Sequence, residues 1–220
     1  MASKSRRNKV KFKLTKELVL LITCLVAMIT ATVVMAIPSR AEKALERYNT
    51  AITDYNTKNE TQFGFLDKDN VFDELNFHEN FDDGDKDNLA KKLASDDYVY
   101  VFYGSLSNGE FLQNLTLINA VAKANEVKKV YLAFSNFIDE AEDKNSASFI
   151  NESLKPIENT LNKKIDGYDG DNVDLTDTKT PVLLVYKEGT LMFNSQTYKK
   201  NAEYNWSTII NKAFTIEKIK

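Results

Sequence analysis

The run Tyr98–Tyr103, YVYVFY, constrains this chain more than any other six residues in it. It is apolar, aromatic and β-branched, carries no charge, and stops at Gly104-Ser105. Such a run reads as a buried strand. A helical pattern follows, with Phe111, Leu112, Leu115, Ile118 and Ala122 on one face. Lys129–Phe134, KVYLAF, supplies a second central strand, and strand, helix and strand at this spacing predict a parallel βαβ pair. Thr180-Pro181 opens another strand, PVLLVYKEGTLMF, in which Lys187-Glu188-Gly189 reads as a hairpin turn. The predicted fold class is α/β, a central mixed sheet flanked by helices.

The N-terminus predicts where this sheet resides. Leu18–Ile37 is twenty residues without a charge, enough to span the hydrocarbon core of a bilayer as a helix. The preceding tail carries seven basic residues against one acid, Glu17, which orients the tail to the cytoplasm and exports the remainder. Cleavage after Val34-Met35-Ala36 is the alternative, but the apolar run is longer than a signal peptide's and Pro38 lies just beyond it. The reading is an uncleaved single-pass signal-anchor in the cell membrane, in contact with lipid, N-terminus inside and C-terminal domain extracytoplasmic. Cys24, the only cysteine, sits within the span, and Thr23 before it departs from the small residue that precedes a lipidated cysteine. From position 18 onward there are twenty-two basic and thirty-one acidic residues, a net of −9. That balance argues against a nucleic-acid partner.

Four segments are expected: a basic cytoplasmic tail (1–17), the anchor (18–37), a juxtamembrane helix with an acidic linker (38–84), and the α/β domain (85–220). Ala41, Leu45, Tyr48, Ile52 and Tyr55 form a heptad-like stripe, either a spacer helix packed on its own domain or a homodimer stalk through residues 41–55. Asp85–Leu93 reads as a short capped helix leading into the Tyr98 strand. Ile150, Leu154, Ile157 and Leu161 make a helical stripe in which Pro156 predicts a kink or a restart. Residues 204–214 predict a last helix with Trp206, Ile209, Ile210 and Phe214 turned inward.

Strand, loop, helix, then a later Thr-Pro and hairpin: this order resembles the thioredoxin-like fold, in particular the small extracytoplasmic and bacteriocin-accessory thioredoxins of Gram-positive bacteria. The resemblance covers roughly residues 85–215. In that family a Cys-x-x-Cys motif follows the strand. Aligned on Gly104, the two cysteines would fall at Asn108 and Phe111; shifted by one residue, at Ser107 and Glu110. Neither register holds a thiol, and disulfide exchange needs a thiolate and a resolving thiol. Ser107-x-x-Glu110 instead fits a capping box, Ser107 accepting from the Glu110 amide and Glu110 reaching back.

The resemblance further implies that Pro181 is cis and faces the active-site loop, with the Thr180 backbone free to pair with an extended peptide. The plainer alternative is that Thr180-Pro181 only shapes a turn. The candidate binding groove is thus Ser107, Asn108, Gly109, Glu110, Thr180 and Pro181, with no catalytic residue and no cofactor implied. The expected function is a non-catalytic protein- or peptide-binding accessory or assembly factor. A degenerate thiol oxidoreductase or a thiol transferase using Tyr103, Ser105 or Ser107 is one alternative, and a structural spacer is another. Asp83–Asp87 has the one-three-five spacing of a calcium loop but lacks its glycine and closing acid, so this cluster and the acids from Asp166 to Asp177 read as solvated loops. His78 is the only histidine, which leaves no histidine-rich metal site.

Overall fold

A computed structural model describes residues 39–82, 88–198 and 205–216, with scattered helical positions between 16 and 28. Most of the expected anchor and tail lies outside the described residues, as does the Asp83–Asp87 cluster. Among the described residues no helix is long and apolar enough to cross a membrane. Contacts divide the chain into Met1–Arg40 and a compact unit, Ala41–Lys220. The second unit holds the sheet.

Five strands lie in the order β1-β3-β2-β4-β5. They are β1 (Phe72–Glu74), β2 (Val99–Gly104), β3 (Val130–Phe134), β4 (Val182–Lys187) and β5 (Thr190–Asn194). β1 and β2 both run parallel to β3, whereas β4 and β5 are antiparallel additions on the other side of β2. The sheet is therefore mixed. β2 is central, and all six of its residues are buried. Its side chains alternate between two cores: Tyr100 and Phe102 enter one, Val99, Val101 and Tyr103 the other. That period of two, buried on both sides, explains why the run lacks a polar alternation.

The first core is closed by α1 (Arg40–Asn59), α4 (Gly109–Ala124) and α7 (Trp206–Phe214). The expected face of α4, from Phe111 to Ala122, is fully buried. The second core is closed by α2 (Phe77–Asp82), α3 (Asn88–Leu93) and α6 (Lys155–Leu161). α5 (Asn136–Asp139) is a single turn after β3. A π-helical turn, Phe149–Leu154, runs into α6, and Pro156 stands in its first turn, where a missing N–H costs nothing. Pro156 thus marks a helix restart. The hairpin is also as expected. Glu188 and Gly189 both have positive φ (52° and 75°), the requirement of a two-residue turn matched to strand twist.

The segment expected to be a linker contributes β1, the edge strand, and α1 belongs to the same unit. The heptad-like stripe is used within the chain: Tyr48 and Ile52 are fully buried in the first core, with Leu45 and Tyr55 packed beside them. Tyr48 Oη donates to Glu74 Oε1 at 2.7 Å, and Arg47 pairs with the same carboxylate. One heptad apart, Asn49 and Asn56 each clasp the returning chain. Asn49 exchanges two hydrogen bonds with the backbone of Leu66, and Asn56 does the same with Phe63. These four bonds satisfy backbone groups that a loop crossing a helix would otherwise leave unpaired. The spacer-helix reading fits this packing, and the stripe is not presented as a free stalk.

Truncating Ile52 tests this. Ile52→Ala should destabilise the full-length protein by about 2–5 kcal/mol, while Glu46→Ala on the exposed face should change stability by less than about 0.5 kcal/mol. The melting temperature should not depend on protein concentration. A concentration-dependent transition would mean that the stripe pairs between two chains.

Candidate functional site

β2 and β3 are parallel, so the loops leaving their C-terminal ends lie side by side. Gly104 pairs with Phe134 in the register, and the Ser135 amide donates to the Gly104 carbonyl at 3.0 Å. The loop after β2 is Ser105–Asn108. Its turn is closed by the Asn108 amide donating to Ser105 O (3.0 Å) and by a 2.8 Å contact between the Ser105 and Ser107 hydroxyls. Gly104 is required here, because a Cβ on it would overlap the ring of Phe111 from the first turn of α4. Phe111 stacks on Phe102 with ring centroids 4.6 Å apart and planes 7° from parallel. Trp206 meets Phe102 edge-on at 5.8 Å, and Phe134 meets Phe111 edge-on at 6.1 Å. This aromatic layer fixes where α4 begins.

The helix cap departs from expectation. Asn108, not Ser107, is the N-cap, its side-chain oxygen accepting from the Phe111 amide at 3.0 Å. Asn and Ser cap equally well, so the sequence leaves the position ambiguous by one residue. Glu110 does not reach back to a Ser107 cap; it accepts from the Trp206 indole N–H at 2.6 Å. The competing donor comes from a helix 96 residues away.

Asn108 also joins the two halves of the predicted groove, because its side-chain amide donates to the Lys179 carbonyl, immediately before Thr180. Pro181 departs from expectation too. Every described peptide bond is trans, so Pro181 is not cis, and its side chain is buried. A trans bond is the ordinary state of an X-Pro pair. The β2–β4 ladder ends at Tyr103 and Val182, so Thr180 lies beyond the last pair. Thr178 and Lys179 form a turn that ends in a bend at Thr180. Gly109 is covered by the Tyr55 phenol, which stacks on Phe63 at 5.4 Å.

Beside this junction opens a cleft of about 530 Å³. One wall is Ser105, Leu106, Ser107 and Asn108; the second is Asn136, Asp139 and Glu140; Thr178 and Lys179 close it. Of the predicted groove residues, Ser107 and Asn108 line the cleft, and Gly109, Glu110, Thr180 and Pro181 are not part of its lining. The second wall was missed from sequence, although a signal existed: two parallel strands must deliver their following loops to the same end of the sheet. Ser135 is fully buried and its hydroxyl donates to Asp139 Oδ2 at 2.5 Å, which orients that carboxylate. Asn136 donates to Glu140 Oε1 at 3.3 Å.

Behind the cleft, Tyr103 is fully buried and its hydroxyl reaches the Leu175 carbonyl at 3.4 Å. Burial holds its hydroxyl far above the usual tyrosine range, and the carboxylates of Asp139, Glu158, Asp174 and Asp177 push the same way. Tyr103 is thus a neutral donor, not a base able to activate a thiol. Glu158 accepts from the Leu175 amide at 2.9 Å and pins the acidic loop, and burial raises its carboxyl above the ordinary range despite that bond. Among the described residues no group of three or more His, Cys, Asp or Glu side chains is arranged to hold a metal ion. Compared with protein-family models, curated proteins and solved structures, the chain shows no match.

Two substitutions separate the packing from the cap. Gly104→Ala should destabilise by about 1–3 kcal/mol, since the Phe111 ring is held between buried neighbours and cannot yield. Asn108→Ala should cost about 1 kcal/mol as a lost cap. Chemical denaturation of the full chain reads both, and a neutral Gly104→Ala would show that Phe111 is not seated on Gly104.

Proposed function

We propose that the unit from Ala41 onward is a thioredoxin-like domain without redox chemistry, held outside the cell by the 18–37 segment, that binds an extended protein segment as an accessory or assembly factor. The fold reading is supported by the strand order β1-β3-β2-β4-β5, by the parallel β1, β3 and β2 set beside an antiparallel β4–β5 hairpin, and by the helix that starts directly after β2. The anchor rests on the uncharged length of residues 18–37 and the basic tail before it.

One observation carries the functional reading. The Asn108 amide ties the β2–α4 loop to the Lys179 carbonyl, and next to that tie Thr180 leads into β4 just outside its ladder with β2. An extended segment laid there gains main-chain hydrogen bonds from Thr180 and side-chain room in the cleft, with no thiol involved. A trans Pro181 does not remove this edge. It means that the edge stems from the ladder's termination, not from a cis turn. With Tyr103 buried, the hydroxyls left to a thiol-activating enzyme are those of Ser105 and Ser107, and these already engage each other.

In-cell photo-crosslinking from position 107, at the exposed rim of the cleft, tests the proposal against a control probe at position 208 on the solvent face of α7. A discrete adduct from 107 alone is the expected outcome. Equal labelling from both positions, or none in a folded and exported protein, would return the domain to a spacer role. Acceleration of insulin reduction by the purified protein with dithiothreitol would instead revive the enzymatic alternative.

A further inference from the structure

Residues 171–175 form no helix or strand, and side chains from the surrounding elements hold them in place. Asn162, at the end of α6, exchanges two hydrogen bonds with the backbone of Val173 (2.6 and 3.2 Å). Gln196 does the same with Asp174 (2.9 and 2.8 Å), and Thr197 and Asn194 meet the backbone of Asp171. Leu175 is gripped on both of its backbone groups. Glu158 of α6 accepts from its amide at 2.9 Å, and the Tyr103 hydroxyl donates to its carbonyl at 3.4 Å. The side chains of Val173 and Leu175 are buried in the second core. Thr178 and Lys179, which close the cleft, follow directly, so the firmness of that wall depends on how well this segment is seated.

Of these six side chains Glu158 alone changes charge between mild acid and neutrality, because Tyr103 stays neutral throughout. We infer that residues 171–177 are an acid-tightened strap, firmly seated while Glu158 is protonated and loosened as it ionises, so that the Thr178–Lys179 wall of the cleft is firmer in acid than at neutral pH. Glu158 is half-buried, and burial holds its carboxyl above the ordinary range despite the Leu175 amide bond. Asp174 on the strap pushes it the same way, and Lys155, one turn earlier on α6, opposes it. Lys155 is exposed and donates to Asn151 Oδ1 at 2.7 Å. The wider surroundings are acidic too, since Asp139, Asp174 and Asp177 act on Tyr103 together with Glu158. The sign follows from this. A carboxyl that protonates more readily when seated than when the strap is open to water stabilises seating in acid, and that stability fades as pH rises through its folded range. The protonated group still accepts from the Leu175 amide through its carbonyl oxygen, and it no longer repels Asp174.

The test is amide hydrogen exchange of the full-length protein at about pH 5 and about pH 7.5, read as protection relative to the unstructured chain at the same pH. Val173, Asp174 and Leu175 should lose protection together at the higher pH, by about threefold or more. Leu183, held within the sheet by Ser195, should change less. Glu158→Gln keeps an acceptor for the Leu175 amide but cannot ionise, so its strap should retain the acid level of protection at both pH values. Asp174→Asn keeps an acceptor for the Thr176 amide and should shrink the pH effect. Equal protection of the wild-type strap at both pH values, or a pH effect that survives in Glu158→Gln, would overturn the inference. A loss at Leu175 alone would reduce Glu158 to one hydrogen bond, and an equal loss at Leu183 would make the change global; either result overturns the strap.

Discussion

The ring of Phe111 occupies the space that a side chain on Gly104 would need, and most of one end of the molecule depends on that contact. Because the ring lies flat on Phe102, the first turn of α4 is pressed against the end of the central strand. Trp206 and Phe134 brace the pair edge-on, and Tyr48 continues the chain of rings from Phe134, with centroids 6.1 Å apart, to α1. The central strand, β3, α4, α7 and α1 are thereby joined through one aromatic layer. Such rings contribute both buried area and a preference for particular geometries, so the layer positions its neighbours as well as binding them.

The candidate site inherits its geometry from this layer. With α4 fixed, Asn108 has little freedom, and its two side-chain groups do two jobs: the oxygen caps the helix and the amide holds Lys179. The second job brings the segment before β4 to the loop after β2. The cleft lies where those two meet the turn that follows β3. In the proposed fold this is the position of a reactive dithiol, and here an amide and two hydroxyls stand in its place. On the proposal above, the same scaffold would serve recognition through polar contacts instead of a nucleophile.

Much of the fold was legible because the periodic signals were long and unopposed. The six buried residues of β2, the apolar face of α4 and the Glu188-Gly189 turn each specify their element locally. β1 was not legible: FDE is three residues long and two of them are acids, so its place as edge strand comes from pairing with β3. The heptad-like stripe of α1 was visible, but its partner was not, because periodicity states that a face is covered without stating by what. Of the six groove residues, Ser107 and Asn108 line the cleft and the other four do not. The choice of Asn108 over Ser107 as cap, and of Trp206 over Ser107 as the partner of Glu110, was settled by tertiary contacts. Asp139 and Glu140 carried no motif, and only the parallel pairing of β2 and β3 places them at the site.

The central claim is that the edge at Thr180 is open while the loop that flanks it is fixed. Amide hydrogen exchange of the full-length protein, resolved by residue, measures both at once. The account predicts slow exchange at Leu183, Asn108 and Phe111, whose amides donate to Ser195 Oγ, Ser105 O and Asn108 Oδ1, and fast exchange at Thr180. A Thr180 amide protected as strongly as Leu183 would mean that the edge is already paired within the chain, and the groove would have no place for a partner.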